Sequence, residues 1–225
     1  MSRLRAITLG RKFNQPLSLE HNICLTHLDL GDDFIRPLSL EKNTQLAHLL
    51  LGHYFKQPLS LENNICLTHL DLGNYFNRPL TLEKNTQLTH LKLACQFNRP
   101  LSLEKNTQLT HLDLGWEFNQ PLSLEHNTQL THLDLRCEFN QPSLSLEHNS
   151  QLTHLYLGHD FNQPSFSLKH NTQLTELHLG CNFYQPLVLD HHALLKDVYC
   201  YDKTFQSLSL PPSCNRRQCP TYVSL

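Results

Sequence analysis

Histidine occupies one register along most of this chain: His27, His48, His69, His90, His111, His132 and His154, with Glu176 in the next copy. Imidazoles are common transition-metal ligands and general acid–base groups, so the column raises both chemistries. Aspartate recurs two residues on, at Asp29, Asp71, Asp113 and Asp134, where it could assist a metal ion. A zinc site, however, needs ligands that converge tetrahedrally. Side chains on parallel strands point the same way, with neighbouring rings about 5 Å apart. The column therefore reads as a surface position copied by duplication, and no metal ligands are assigned to it. Stacked imidazolium groups would repel, so protonation should be resisted once the array is folded.

The cysteines give a second geometric test. Cys24 and Cys66 share a column two copies apart, as do Cys95 and Cys137, and Cys137 and Cys181. Two strand spacings are about 9.6 Å, beyond the roughly 7 Å Cα limit of a disulfide. No disulfide is expected within these columns. Cys137, His159 and Cys181 stand on consecutive copies, but the outer sulfurs start too far apart to share an ion. The tail carries Cys200 and a C-x4-C pair, Cys214 and Cys219, read as free thiols rather than a zinc knuckle. No Gly-rich phosphate loop, nucleophile elbow or H-E-x-x-H stands in the chain. His and Asp recur everywhere, so no pair is singled out. No enzyme activity and no cofactor are expected.

What must position these side chains is a repeat. Phe13, Phe34, Phe55, Phe76, Phe97, Phe118, Phe139, Phe161, Phe183 and Phe205 mark its period, and ten of the eleven Phe lie in this register. A unit reads L-T-H-L-x-L-G-x-x-F-N-Q-P-L-S-L-E-x-N-T-Q, 21 residues long and later 22, with Ser143 and Ser165 as the first added residues. In Leu109, Leu112 and Leu114 the spacing L-x-x-L-x-L matches the strand segment of a leucine-rich repeat. Alternation points Leu112 and Leu114 inward, and His111 and Asp113 outward. Leu122 and Leu124 alternate too, predicting a second extended segment on the opposite wall. No stretch has the length or the 3.6 period of a helix. One unit cannot bury its own Leu and Phe, but stacked units bury a continuous core. The expected fold is a leucine-rich-repeat-like β-solenoid of short parallel strands, about nine to ten rungs, with little α-helix. The Phe column should form an internal ladder. The Asn column, from Asn22 to Asn171, should satisfy turn groups of its own local main chain. Residues 1–189 are assigned to the solenoid. Residues 190–225 are read as a divergent last rung and cap, since His191-His192-Ala193 breaks the N-T-Q pattern.

The units Phe76-Asn77-Arg78-Pro79, Phe118-Asn119-Gln120-Pro121 and Phe139-Asn140-Gln141-Pro142, each with L-T-H-L-x-L nearby, resemble the FNIP repeat. That family is a leucine-rich-repeat relative abundant in amoebae and their giant viruses. The resemblance covers roughly residues 7–189. It departs in the spacer, where E-H-N or E-K-N replaces a proline-serine step; the final Leu208-Ser209-Leu210-Pro211-Pro212-Ser213 comes closer. The resemblance implies a possible link to ubiquitin ligation through an F-box, which this chain, beginning almost directly in the repeat, does not present. It supplies no catalytic residues.

Composition limits the partners. Lys and Arg number 18 against 20 Asp and Glu, a net charge of −2. That lacks the basic footprint of nucleic-acid binding. No run of 18 apolar residues suggests a membrane span, and no signal peptide is evident. A cytoplasmic protein with reduced thiols is expected. The exposed columns that differ between copies are the candidates for binding a host or cognate protein. They are the two positions before each Phe, which include Tyr54, Tyr75 and Trp116, and the outward strand position, which includes Asp113, Asp134 and Tyr156. Aromatic residues of this kind anchor interfaces; unconstrained drift is the alternative. A purely structural array is a third class. Ice binding is disfavoured because each Thr is followed by His rather than spaced T-x-T.

Overall fold

A computed structural model of the chain describes residues 4–135, 138–200 and 206–218. Within them the chain winds as a parallel β-solenoid of about ten turns. Its strands are β1 (Ala6–Thr8), β2 (His27–Asp29), β3 (His48–Leu50), β4 (His69–Asp71), β5 (His90–Lys92), β6 (His111–Asp113), β7 (His132–Leu135), β8 (His154–Leu157), β9 (Glu176–His178), β10 (Leu187–Val188), β11 (Asp197–Cys200), β12 (Leu208–Ser209) and β13 (Asn215–Gln218). No helix occurs among the described residues, so none is long and apolar enough to cross a membrane.

Eleven strands form one sheet, in order β1 to β9, then β11 and β13. Register follows the repeat: His90 pairs with His111, Leu91 with Leu112, and Lys92 with Asp113. β2 to β8 each begin on their His and β9 on Glu176, so each buries its second residue and turns its first and third outward. Leu28, Leu49, Leu70, Leu91, Leu112 and Leu133 are all buried. The region after residue 190 adds β11 and β13 to the same sheet.

The Phe column is the internal ladder that the spacing predicts. Nine rings from Phe13 to Phe183 stack at centroid distances of 6.1–6.4 Å and interplanar angles of 4–11°. From Phe34 onward they are fully buried. Burying one such side chain contributes about 1.5–3 kcal/mol.

The Asn column works differently from the local bonding expected of it. The Asn127 amide nitrogen donates to the Leu103 and Asn106 carbonyls at 3.0 and 2.9 Å, both on the preceding turn. The same pair of bonds recurs from Asn43 to Asn171. These side chains therefore staple one turn to the next in the dry interior. Their Oδ1 atoms are buried without a donor, so the net gain is smaller than two bonds suggest. His192 continues this column: it is 2 % exposed and its Nε2 donates to Leu168 carbonyl at 3.0 Å. The N-T-Q pattern breaks there in letters while the position keeps its role.

A second staple explains F-N-Q-P. Asn119 Oδ1 accepts from the Asn140 backbone N–H at 3.1 Å and from the Gln141 side chain at 2.8 Å. Asn140 does the same for Asn162 and Gln163. The opposite wall differs from expectation. Its leucines are buried or partly buried, but among the described residues paired strands form there only as β10 with β12.

Candidate functional site

The sheet face carries a shallow trough of ≈ 460 Å³. One side is the His column; the other is the varied strand position, with Leu50, Asp71, Lys92, Asp113, Asp134 and Tyr156. The imidazoles from His27 to His154 stack at 4.2–4.3 Å, closer than the spacing expected of them. A hydrogen bond holds them in place. Thr110 Oγ1 lies 2.9 Å from His111 Nδ1 and 3.1 Å from the Thr89 carbonyl oxygen. That carbonyl also accepts the Thr110 and His111 backbone N–H groups at 2.9 and 3.0 Å, so the hydroxyl bridges a carbonyl and an imidazole nitrogen. The arrangement repeats at Thr26, Thr68, Thr89, Thr131 and Thr153. His48 follows Ala47 and has no such tether.

Partial burial, and then the neighbouring imidazoles, lower the pKa of His48, His69, His90, His111 and His132 from the ordinary 6.5. Burial is the larger cause, ahead of the repulsion that the sequence suggests. Both causes favour the uncharged form of these five rings.

The aspartates have a structural duty as well. Asp113 Oδ1 accepts from the Gly115 N–H at 3.0 Å, and Asp29 and Asp71 do the same for Gly31 and Gly73. These three glycines have positive φ, 67 to 73°. At Gly115 a Cβ would also meet the Ala94 carbonyl oxygen at 2.2 Å. The Lys92 ammonium lies 3.1 Å from Asp71. Towards β9 the column changes. Tyr156 donates to Glu176 at 2.7 Å, and His178 Nε2 approaches the same carboxylate oxygen at 2.7 Å. Tyr156, His178 and Tyr199 stack at 4.2 and 4.0 Å. Burial pushes Glu176 up, but those two hydrogen bonds together hold it below the usual carboxylate range.

The six candidate binding residues fall in two places. Asp113, Asp134 and Tyr156 line the trough. Tyr54, Tyr75 and Trp116 lie on the turn that follows the strands. Tyr54 and Tyr75 stack at 5.4 Å, with His53 edge-on to both and the Lys56 ammonium 4.7 Å from the Tyr75 ring. Trp116 is 42 % exposed and lies further along the ridge. The tethering Thr column and the Glu176 cluster were not singled out from the sequence. The T-H dipeptide in unit after unit was the available signal for the first.

Among the described residues no three His, Cys, Asp or Glu side chains converge on a metal position. Cys137, needed for the Cys95, Cys181 and His159 combinations, lies outside those residues, as does Cys219 of the tail pair. The six described cysteines carry no disulfide. Burial raises the Cys214 thiol.

No family model matches this sequence, and no curated protein does. Solved structures match the fold. CroV588, a giant-virus protein described as a novel circular leucine-rich-repeat structure, is 31 % identical with a TM-score of 0.75, over 96 % of this chain and 33 % of its own. This chain thus spans about a third of that protein's length. The functional domain of InlJ from Listeria monocytogenes, described as including a cysteine ladder, is 20 % identical at TM-score 0.51, covering 88 % of this chain and 58 % of its own. The L. monocytogenes internalin InlF is 14 % identical at TM-score 0.50, covering 99 % and 88 %. The class these define is the leucine-rich-repeat-like solenoid.

Proposed function

We propose that this protein is a non-catalytic binding solenoid that holds a protein partner on its sheet face and the adjoining turn ridge. One observation carries the reading: the Leu, Phe and Asn columns stay nearly uniform while the exposed strand position runs Leu50, Asp71, Lys92, Asp113, Asp134, Tyr156 along one continuous trough. A solenoid with a fixed interior and a varied face can offer an extended, specific surface.

The test is affinity purification from host-cell lysate, read by mass spectrometry. One variant replaces Tyr54, Tyr75 and Trp116 with Ser; another replaces Asp113 and Asp134 with Asn. Partners lost from either variant place binding on that patch. Partners retained by both would overturn the reading. The F-N-Q-P units support a finer assignment to the FNIP repeat family. On that assignment the partner would be a substrate delivered to a ubiquitin ligase, and ligase scaffold proteins should be recovered in the same experiment.

A further inference from the structure

We infer that the concavity beside Tyr54, on the turn ridge, is a carbohydrate site: a neutral pyranose ring packs on the open face of Tyr54, and its hydroxyls pair with Asn14, Asp33, Lys56 and Gln57. This rests on the ridge being a binding surface and uses no residue of the trough.

Two observations meet there. The first is a local break in the repeat. From Phe13 to Phe161 the residue after each Phe is Asn, except at Ile35 and Lys56. Asn14 Oδ1 still accepts from the Ile35 N–H at 3.2 Å. Ile35 and Lys56 have no such oxygen. The bond that Asn77 gives the Asn98 N–H, at 3.3 Å, is therefore missing on two successive turns. Tyr54 shares its turn with Lys56, and with Tyr75 it makes the one pair of aromatic neighbours in its column. The array gives up two staples where it gains an exposed pair of rings.

The second is the shape and chemistry of the place. A concavity of ≈ 600 Å³ is lined by Asn14, Asp33, Ile35, Tyr54, Lys56 and Gln57, a size that suits a small ligand. Tyr75 stacks on one face of Tyr54, with 5.4 Å between centroids. On the other side Asp33 stands where a third ring would continue the stack. Tyr54 and Ile35 are 45 % and 44 % exposed. The Gln57 amide nitrogen is committed to the Ile35 carbonyl at 2.9 Å, which leaves its oxygen to the site. The Asn14 oxygen is committed to the Ile35 N–H, which leaves its amide nitrogen. The Lys56 ammonium lies 4.7 Å from the Tyr75 centroid. Neither it nor the Asp33 carboxylate has a hydrogen bond or ion pair among the described residues. The rim thus offers two donors, Asn14 Nδ2 and Lys56 Nζ, and two acceptors, Asp33 and Gln57 Oε1.

That set selects its occupant. A cation that pairs with Asp33 is opposed by Lys56, and an anion meets the reverse. A hydroxyl both donates and accepts, so a sugar ring serves all four groups. Its C–H face covers Tyr54 and Ile35 with apolar surface.

The experiment is saturation-transfer NMR on the full chain. The neutral probes are hexasaccharides of glucose, mannose, galactose and N-acetylglucosamine; the charged probes are a sulfated hexasaccharide and free arginine. At least one neutral probe should bind, with Kd on the order of 1 mM, and the charged probes more weakly. Tyr54→Ala should weaken that binding about tenfold or more, and Tyr54→Phe, which keeps the ring face, by less than about threefold. Asp33→Ala with Gln57→Ala should weaken it too, while Trp116→Ala, further along the ridge, should leave it unchanged. Ile35→Asn with Lys56→Asn returns the repeat's own letters, so the denaturant midpoint should rise while sugar binding falls.

No binding of any neutral probe, tighter binding of a charged one, or equal losses from Tyr54→Ala and Trp116→Ala would each overturn the inference. If lysate partners are lost from the Tyr54, Tyr75 and Trp116 variant while no sugar binds, the ridge stands as a protein surface and the sugar site falls. Where a sugar binds, its competition with those partners separates a protein-borne glycan from a free saccharide.

Discussion

Two columns of rings climb this solenoid, one inside and one outside. The inner Phe rings sit 6.1–6.4 Å apart and the outer His rings 4.2–4.3 Å apart, although both take one ring from each turn. The inner spacing is set by packing: offset rings fill the space between two walls of leucine. The outer spacing is closer because flat imidazoles stack face to face on neighbouring strands; a threonine hydroxyl adjoins each ring from His27 to His154 except His48, which keeps the same spacing without one. The same repetition thus produces cohesion where water is excluded and a patterned surface where it is not. A change inside should be felt by the turns above and below. A change outside should alter charge and recognition while the coil stays wound.

The sharpest way to break that contrast is to delete one ring from each column. Phe118→Ala should cost about 3–5 kcal/mol, read as a lower denaturant midpoint, with hydrogen exchange rising on the turns of Phe97 and Phe139. His111→Ala should stay within about 1 kcal/mol. Equal costs would mean the outer column also holds the fold. Asn127→Ala comes next. It removes the two bonds to Leu103 and Asn106 carbonyls and should destabilise by about 1–3 kcal/mol; an unchanged midpoint would show that the staple is dispensable.

Acid should separate the columns without mutation. Five imidazoles bind protons more weakly in the folded chain than the ordinary value of 6.5 implies. Below that value the unfolded chain takes up more protons, so folding stability present above about pH 6.5 declines as pH falls through it towards the lowered folded values. The melting temperature should drop between pH 7.5 and pH 5, and His111→Gln with His132→Gln should flatten part of that drop. A flat profile in the unaltered chain would remove the electrostatic account of the stack. The smallest expected effect on stability is Thr110→Val, below about 1 kcal/mol, with its visible consequence in the His111 ring 15N shifts rather than in the melt.

Much of this is legible in the sequence. Ten Phe in one register and L-x-x-L-x-L in the units from Leu25 to Leu179 imply stacked parallel strands, because one unit is too short to bury its own core. The position of the trough was half legible: Asp113, Asp134 and Tyr156 were identified as outward and variable, but the facing His column was set aside as a copied surface. What hid its significance is that a hydrogen bond from Thr110 to the turn before it joins residues 21 apart. The same distance hid the role of Asn127 and of the F-N-Q letters, whose partners also lie one turn away.

The sequence by itself determined the period, the strand register and the identity of the buried Leu and Phe columns, since those follow from alternation and from the need to cover Leu and Phe. Only the tertiary structure decided which nitrogen of each Thr-tethered imidazole faces its threonine, that His192 replaces an asparagine staple, and that, among the described residues, strands on the far wall pair only where Leu187–Val188 meets Leu208–Ser209. The reason is physical: burial pattern is a property of one turn, whereas a hydrogen bond between turns exists only after two of them have been laid one upon the other.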